Sequence, residues 1–475
     1  MLKMLFSSAI FLFYFLPILL LCYFLAPGIK IKNTVLLFFS LLFFAWGGLY
    51  FTFILCVSVL FNYIIGIGIE RYQSKKFLRY GIAGNLALLI WYKYANFLAF
   101  NLNTVTDVFN IGTIPLAHIA LPIGISFYTF HSISYLIDVY HKKSPAQKNI
   151  YNMALYIILF TQLIAGPIIR YNTFAPQLFN RKVNVQGFCI GIERFIIGLG
   201  KKVLIANTLA RLANESFEQT PENMSTLLSW LGALCYTFQI YFDFSGYSDM
   251  AIGLSKMFGF QFPENFNKPY IAESIKDFWK RWHISLSSFF KDYVYIPLGG
   301  NKKGNKRTYF NLILVFLLTG FWHGANYTFI IWGLIHGLFL LIERRGLDKK
   351  LLQLPLLIKR FYAFIIVMLA WIPFRANNMS QALCFWKSLV PNANDLKLDL
   401  IASYFTTDFI IVLILAIIMA FNLDRYLSFL VKKHIVRFGY EPLPIINACF
   451  LLTVLFMSAV YLISGTYNPF IYYQF

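Results

Sequence analysis

The chain has 475 residues, 59% of them hydrophobic and only 13% charged, with a mean hydropathy of +0.64. A soluble domain carries about 25% charged and 45–50% apolar residues, so this composition defines an all-α integral membrane protein whose first partner is the lipid bilayer. The net charge of +21 sits in short Lys/Arg clusters between apolar runs, the pattern of loops facing anionic headgroups and not of a nucleic-acid surface.

A helix crosses the hydrocarbon core with about 20 apolar residues, and the chain offers about eleven to thirteen such transmembrane or re-entrant segments. The clearest are 5–25, 34–69 (two helices), 80–100, 114–137, 150–168, 226–243, 308–342 (two), 361–374, 404–422 and 446–464. Period-2 alternation is absent, which argues against a β-barrel. The first run starts at Leu5, exceeds a typical signal h-region and lacks an A-x-A-like end, so it is expected to be retained. One membrane domain over 1–475 is expected, because no linker or soluble block interrupts the pattern.

Lys/Arg bias in short loops sets orientation. The clusters at Lys30/Lys32, Arg71–Arg79, Lys142–Lys148, Lys302–Arg307, Arg344–Lys350 and Arg425–Arg437 are assigned to the cytoplasm, and the loop from Asn101, which lacks basic residues, to the outside. The stretch 168–225 mixes Arg and Lys into weakly apolar sequence and is open to re-entrant or interfacial readings. One span remains after Arg437, so the tail 465–475, "GTYNPFIYYQF", is expected on the extracytoplasmic face.

Two histidines stand out. The block 308–343 would reach about 54 Å as one helix, too long for a single crossing, so it must break, and "HGAN" from His323 to Asn326 is the place. His323 then lies about 24 Å from Arg307, at a depth where an ionisable group faces protein or a water path. It reads either as a neutral core histidine or, with Trp322 and Asn326 beside it, as a general base. In "SIKDFWKRWHISLSSFFKD", Ser274 to Asp292, one stripe of a continuous helix carries Ile275, Phe278, Trp279, Trp282, Leu286, Phe289 and Phe290. His283 falls at the stripe's edge, and periodicity alone favours a surface anchor in the membrane interface.

Other chemistries are absent from the pattern. His323 and His336 share a site only if the break folds them together, no H-x-x-x-H occurs, and no metal site is expected. The six cysteines are scattered without C-x-x-C spacing and read as small buried hydrophobes. No G-x-S-x-G, Walker A or G-x-G-x-x-G motif is present. Asp243, in "YFDFSGYSDM", either pairs with Lys/Arg of the cytoplasmic clusters or shapes a polar route for substrate.

At these residues the chain resembles the membrane-bound O-acyltransferase (MBOAT) family, in its alginate O-acetylase branch. The resemblance runs through "LPIGISFYTFHSISYLIDVY", "TQLIAGPIIRY", "GLGKKVLIANTLA", "YFDFSGYSDMAIGL", the long segment 262–304, and "LLTGFWHGANYTFIIWGLIHGL". It implies a multi-span fold with a central tunnel, in which the principal catalytic histidine maps onto His323 and the second polar position onto His283. Trp282, Trp322, Asn326 and Asp243 are then the residues expected to contact substrate. The donor implied is acetyl-CoA, with no permanently bound cofactor. The terminal Phe470, Tyr472 and Phe475 form F-x-Y-x-x-F, similar to a tail motif of envelope acylation systems in which the tyrosine relays the acyl group; the competing reading is an aromatic interfacial anchor.

The expected activity is O-acetylation of an envelope polysaccharide such as alginate or peptidoglycan, from the inner membrane, with a periplasmic serine esterase-like acetyltransferase of SGNH/GDSL type as partner. The rivals are D-alanyl transfer to teichoic acid, which uses a separate tail-bearing subunit, a transporter without chemistry, for which inverted repeats are missing, and a structural scaffold.

Overall fold

The structure is a computed structural model describing residues 4–110, 112–115, 119–163, 166–220, 224–391, 402–423 and 443–465. The described residues are helical and contain no strand. Among them five helices are long and apolar enough to cross a membrane: Gly28–Trp46, Leu49–Tyr72, Tyr327–Leu352, Leu356–Arg375 and Ile445–Ile463. Phe11–Leu25 and Thr407–Ala420 are shorter apolar helices. Tyr472, expected as an acyl relay, and its neighbours Phe470 and Phe475 lie outside the described residues.

Two of the expected runs are shortened by local chemistry. The run 114–137 is helical only from Ile125 to Tyr140, because Pro122 precedes it and Gly124 takes a left-handed φ of 74°. The run 150–168 breaks at Leu159, where the helix from Ile150 ends; the Phe160 amide donates to the Ser40 hydroxyl and a short helix, Phe160–Leu163, follows. The segment 168–225 resolves into two four-residue helices, Tyr171–Phe174 and Gln177–Asn180. A continuous helical run follows through Val185–Gly200 and Asn207–Glu218.

The contacts divide into two compact units, Met1–Gly191 with Ala251–Pro263, and Ile192–Met250 with Glu264–Phe475. The first unit is built on phenylalanines: Phe6, Phe11, Phe15, Phe43 and Phe160 pack ring against ring at 5.1–6.2 Å. Its buried His131 accepts the Ile169 N–H at Nε2, so this imidazole ties a loop to the core.

The second unit holds both histidines of interest. Its helix Gly304–His323 ends at the expected break, and helix Tyr327–Ile342 begins after Asn326, whose side chain caps it by accepting the Thr328 amide. The two helices run back to back because glycine lets their backbones touch. A Cβ on Gly320 would stand 2.3 Å from the Phe329 carbonyl oxygen, and one on Gly333 2.2 Å from that of Phe316. Such small-residue contacts are how lipid-embedded helices pack closely. Gly320→Ala is expected to push the hairpin apart at a cost of about 1–3 kcal/mol. A lowered thermal midpoint in detergent and reduced transfer would record it, since His323 sits one turn on; an unchanged midpoint would contradict the close contact.

Candidate active site

The stretch 274–292 does not form the continuous helix that its periodicity suggests. It folds as two short helices, Ile275–Arg281 and Ile284–Phe290, joined by extended Trp282 (φ −104°, ψ 128°) and left-handed His283 (φ 44°, ψ 54°). A non-glycine residue in that region carries about 1–3 kcal/mol of strain and persists only when its surroundings hold it. Here the preceding loop does so: the Ile284 amide donates to the Asn265 carbonyl at 2.9 Å, and the Asn267 amide to that of Arg281 at 2.9 Å. Glu343 adds a clamp at the other end, its carboxylate accepting the Ile275 and Lys276 amides at 2.6 and 3.0 Å.

The kink changes the meaning of His283. The apolar stripe is buried within protein and not laid against headgroups, and His283 itself is fully buried, so the surface-anchor reading is overturned. Burial pushes its imidazole down to about 3, and the ring is neutral at physiological pH.

Folding also brings the two histidines to the same aromatic wall. The Trp322 ring lies 6.0 Å from His283 and 4.8 Å from His323. Phe244 closes edge-on against His283 at 4.7 Å, while Trp332 and Phe374 flank His323 at 4.9 and 5.1 Å. His336, thirteen residues from His323 in sequence, meets the same Trp332 ring at 5.2 Å, and Trp279 at 5.1 Å. A wall of this kind excludes water and keeps the dielectric low, which strengthens any hydrogen bond an imidazole makes to a reacting group. Among the described residues no group of three or more His, Cys, Asp or Glu side chains is arranged to hold a metal ion.

The remaining expected contacts separate. Trp282 is part of the same aromatic cluster, 5.0 Å from both Trp371 and Phe266. Asn326 is engaged structurally, capping its helix and donating to the Asn377 carbonyl at 2.8 Å. Asp243 is buried in an ion pair with Lys202, a residue of the stretch 168–225 and not of the clusters assigned to the cytoplasm. Asp249, one and a half turns along, pairs with Arg194 and Lys201 at 2.8 and 2.7 Å. The residue that sequence reasoning passed over is Asn265, eighteen positions before His283 and hydrogen-bonded to its ring; it lies within a quoted motif, but only the tertiary contact gives it a partner.

A narrow cavity of about 220 Å³ approaches this wall. Lys276, Lys280, Lys291, Leu312, Val315, Phe316 and Thr319 are among its lining residues. The last four recur along one face of helix Gly304–His323, and Thr319 lies one helical turn before His323.

A fold of apolar helices carrying two buried imidazoles on a shared wall, with a lysine-lined slot beside them, defines a multi-pass membrane protein equipped for acyl or proton transfer. The profile of the membrane-bound O-acyltransferase family matches residues 141–372. A probable alginate O-acetylase of Pseudomonas putida is 47% identical over 385 residues, covering 80% of this chain and 79% of that protein. A peptidoglycan O-acetyltransferase of Helicobacter pylori is 37% identical over 426 residues, 82% and 80% of the two chains. A teichoic acid D-alanyltransferase of Bacillus subtilis is 32% identical over 230 residues, 46% of this chain and 58% of that one. The chain belongs to the membrane-bound O-acyltransferase family, and it is an O-acyltransferase.

Proposed function

We propose that this enzyme moves an acetyl group from acetyl-CoA to the extracytoplasmic side of the inner membrane for O-acetylation of an envelope polysaccharide. The observation that carries this reading is the slot between Lys276, Lys280 and Lys291 and the His323 turn. Lysine ammonium groups suit the phosphates of the donor, and an apolar lining suits its pantetheine arm. The basic residues Lys302, Lys303, Lys306 and Arg307 stand at the start of the same helix and support a cytoplasmic entrance. The relatives named for alginate and peptidoglycan acetylation support an acetyl group and a polysaccharide target.

In this reaction a hydroxyl oxygen attacks the thioester carbonyl, His323 takes the hydroxyl proton, and collapse of the tetrahedral intermediate expels the CoA thiolate, which recovers that proton. The hydroxyl is that of Tyr472 in the extracytoplasmic tail, whose ordinary pKa near 10 makes it dependent on a base. A periplasmic serine esterase-like enzyme then collects the acetyl group and delivers it to the sugar. The slot is tested by changing Lys276, Lys280 and Lys291 together to Gln in the reconstituted enzyme. The Michaelis constant for acetyl-CoA is expected to rise about tenfold or more, the loss of at least one charge-assisted hydrogen bond, with the turnover number falling less. An unchanged Michaelis constant would place the donor elsewhere.

A further inference from the structure

Asn265 determines what His283 can do. Its Oδ1 lies 3.2 Å from the Ser285 amide nitrogen, 2.8 Å from the Ser285 hydroxyl and 3.2 Å from Nδ1 of His283. A backbone N–H can only donate, so the Asn265 atom facing it is the carbonyl oxygen and not the amide nitrogen. An oxygen that accepts from Ser285 presents lone pairs to Nδ1, and an imidazole nitrogen held against them must carry its proton there. In a neutral ring the other nitrogen is then bare. The His283 Nε2 atom is buried and has no hydrogen-bond partner among the described residues, which leaves an acceptor whose desolvation a ligand donor would compensate.

We propose that Asn265 is a positioning residue that locks His283 in the Nδ1–H tautomer, so that Nε2 accepts a hydrogen bond from an N–H or O–H of the substrate and does not donate one to the oxyanion. The inference rests on the acyl-transfer reading and assigns roles within it: oxyanion stabilisation falls to other donors, and His283 serves to hold a substrate donor in place. The same loop fixes the ring's direction as well as its proton, because the Asn265 carbonyl accepts the Ile284 amide at 2.9 Å and so holds the left-handed turn that carries His283. Asn265 also borders a cavity of about 560 Å³ shared with Ser245, Ser248 and Phe266.

The test combines 15N NMR of histidine-labelled full-length protein in nanodiscs with acetyl-transfer kinetics. In the wild type the His283 signals, assigned by their loss in His283→Gln, are expected to show protonated Nδ1 and unprotonated Nε2. Asn265→Asp keeps the acceptor oxygen and is expected to keep that tautomer and transfer within about threefold of wild type. Asn265→Leu removes the acceptor and is expected to mix the tautomers and lower turnover by about 10- to 100-fold, the scale on which groups orienting a functional histidine act. A protonated Nε2 in the wild type overturns the proposal even if Asn265→Leu fails to fold. So does an Asn265→Leu enzyme that loses transfer with the His283 tautomer unchanged. If the wild type shows the Nδ1–H tautomer but takes no acetyl from acetyl-CoA, the tautomer lock stands and the donor assignment fails.

Discussion

His323→Ala is expected to lower acetyl transfer by about 10²- to 10⁴-fold, the range that a positioned general base contributes. Label from radioactive acetyl-CoA should appear on the wild type and be absent from His323→Ala. Because alanine leaves a hole between Trp322, Trp332 and Phe374, His323→Gln supplies a second arm with nearly the same volume and no comparable basicity. Transfer retained by both variants, with folding intact, would remove the histidine from the chemistry. Tyr472→Phe separates the relay from the base: it is expected to abolish label on this protein while leaving the wall unaltered. Label persisting on the Phe variant but missing from His323→Ala would eliminate the tyrosine alone.

The second large effect concerns the ion pair of Lys202 and Asp243, both buried. Taking one partner away leaves an uncompensated charge in a medium that solvates it poorly, which costs about 3–5 kcal/mol, whereas replacing both with apolar residues of similar size is often neutral or favourable. Lys202→Met and Asp243→Leu are therefore each expected to lower the thermal midpoint strongly, and the double variant to recover it. Transfer activity then distinguishes the two readings of Asp243. Recovery of stability together with activity marks a structural pair, and recovery of stability alone marks a carboxylate that substrate needs. Failure of the double variant to regain stability would refute the pairing.

Particular elements explain how far the sequence could be read. The break at Gly324–Asn326 was legible because a bilayer has a fixed thickness and the 36 residues between Arg307 and Arg344 exceed it as one helix. The same bound placed His323 at depth, and the structure adds that Asn326 caps the second helix by accepting the Thr328 amide. The stretch 274–292 misled for the opposite reason. Its apolar spacing satisfies a continuous helix, and nothing local announces a left-handed histidine, since the bonds that hold the kink come from Asn265 and Asn267. Asn326 was singled out because it follows His323; its hydrogen bonds cap the second helix of the hairpin and reach the Asn377 carbonyl.

Composition and spacing by themselves determined an all-helical membrane protein, the hairpin at 308–343 and the histidine at its turn, because these follow from hydrophobic length, helix rise and the cost of burying polar groups. Tertiary structure alone decided which rings surround each imidazole, that Trp322 is shared by His283 and His323, and that Asn265 sets the proton on His283. Those are contacts between residues far apart in the chain, and no local periodicity encodes them: packing selects the partner and the hydrogen bond selects the tautomer.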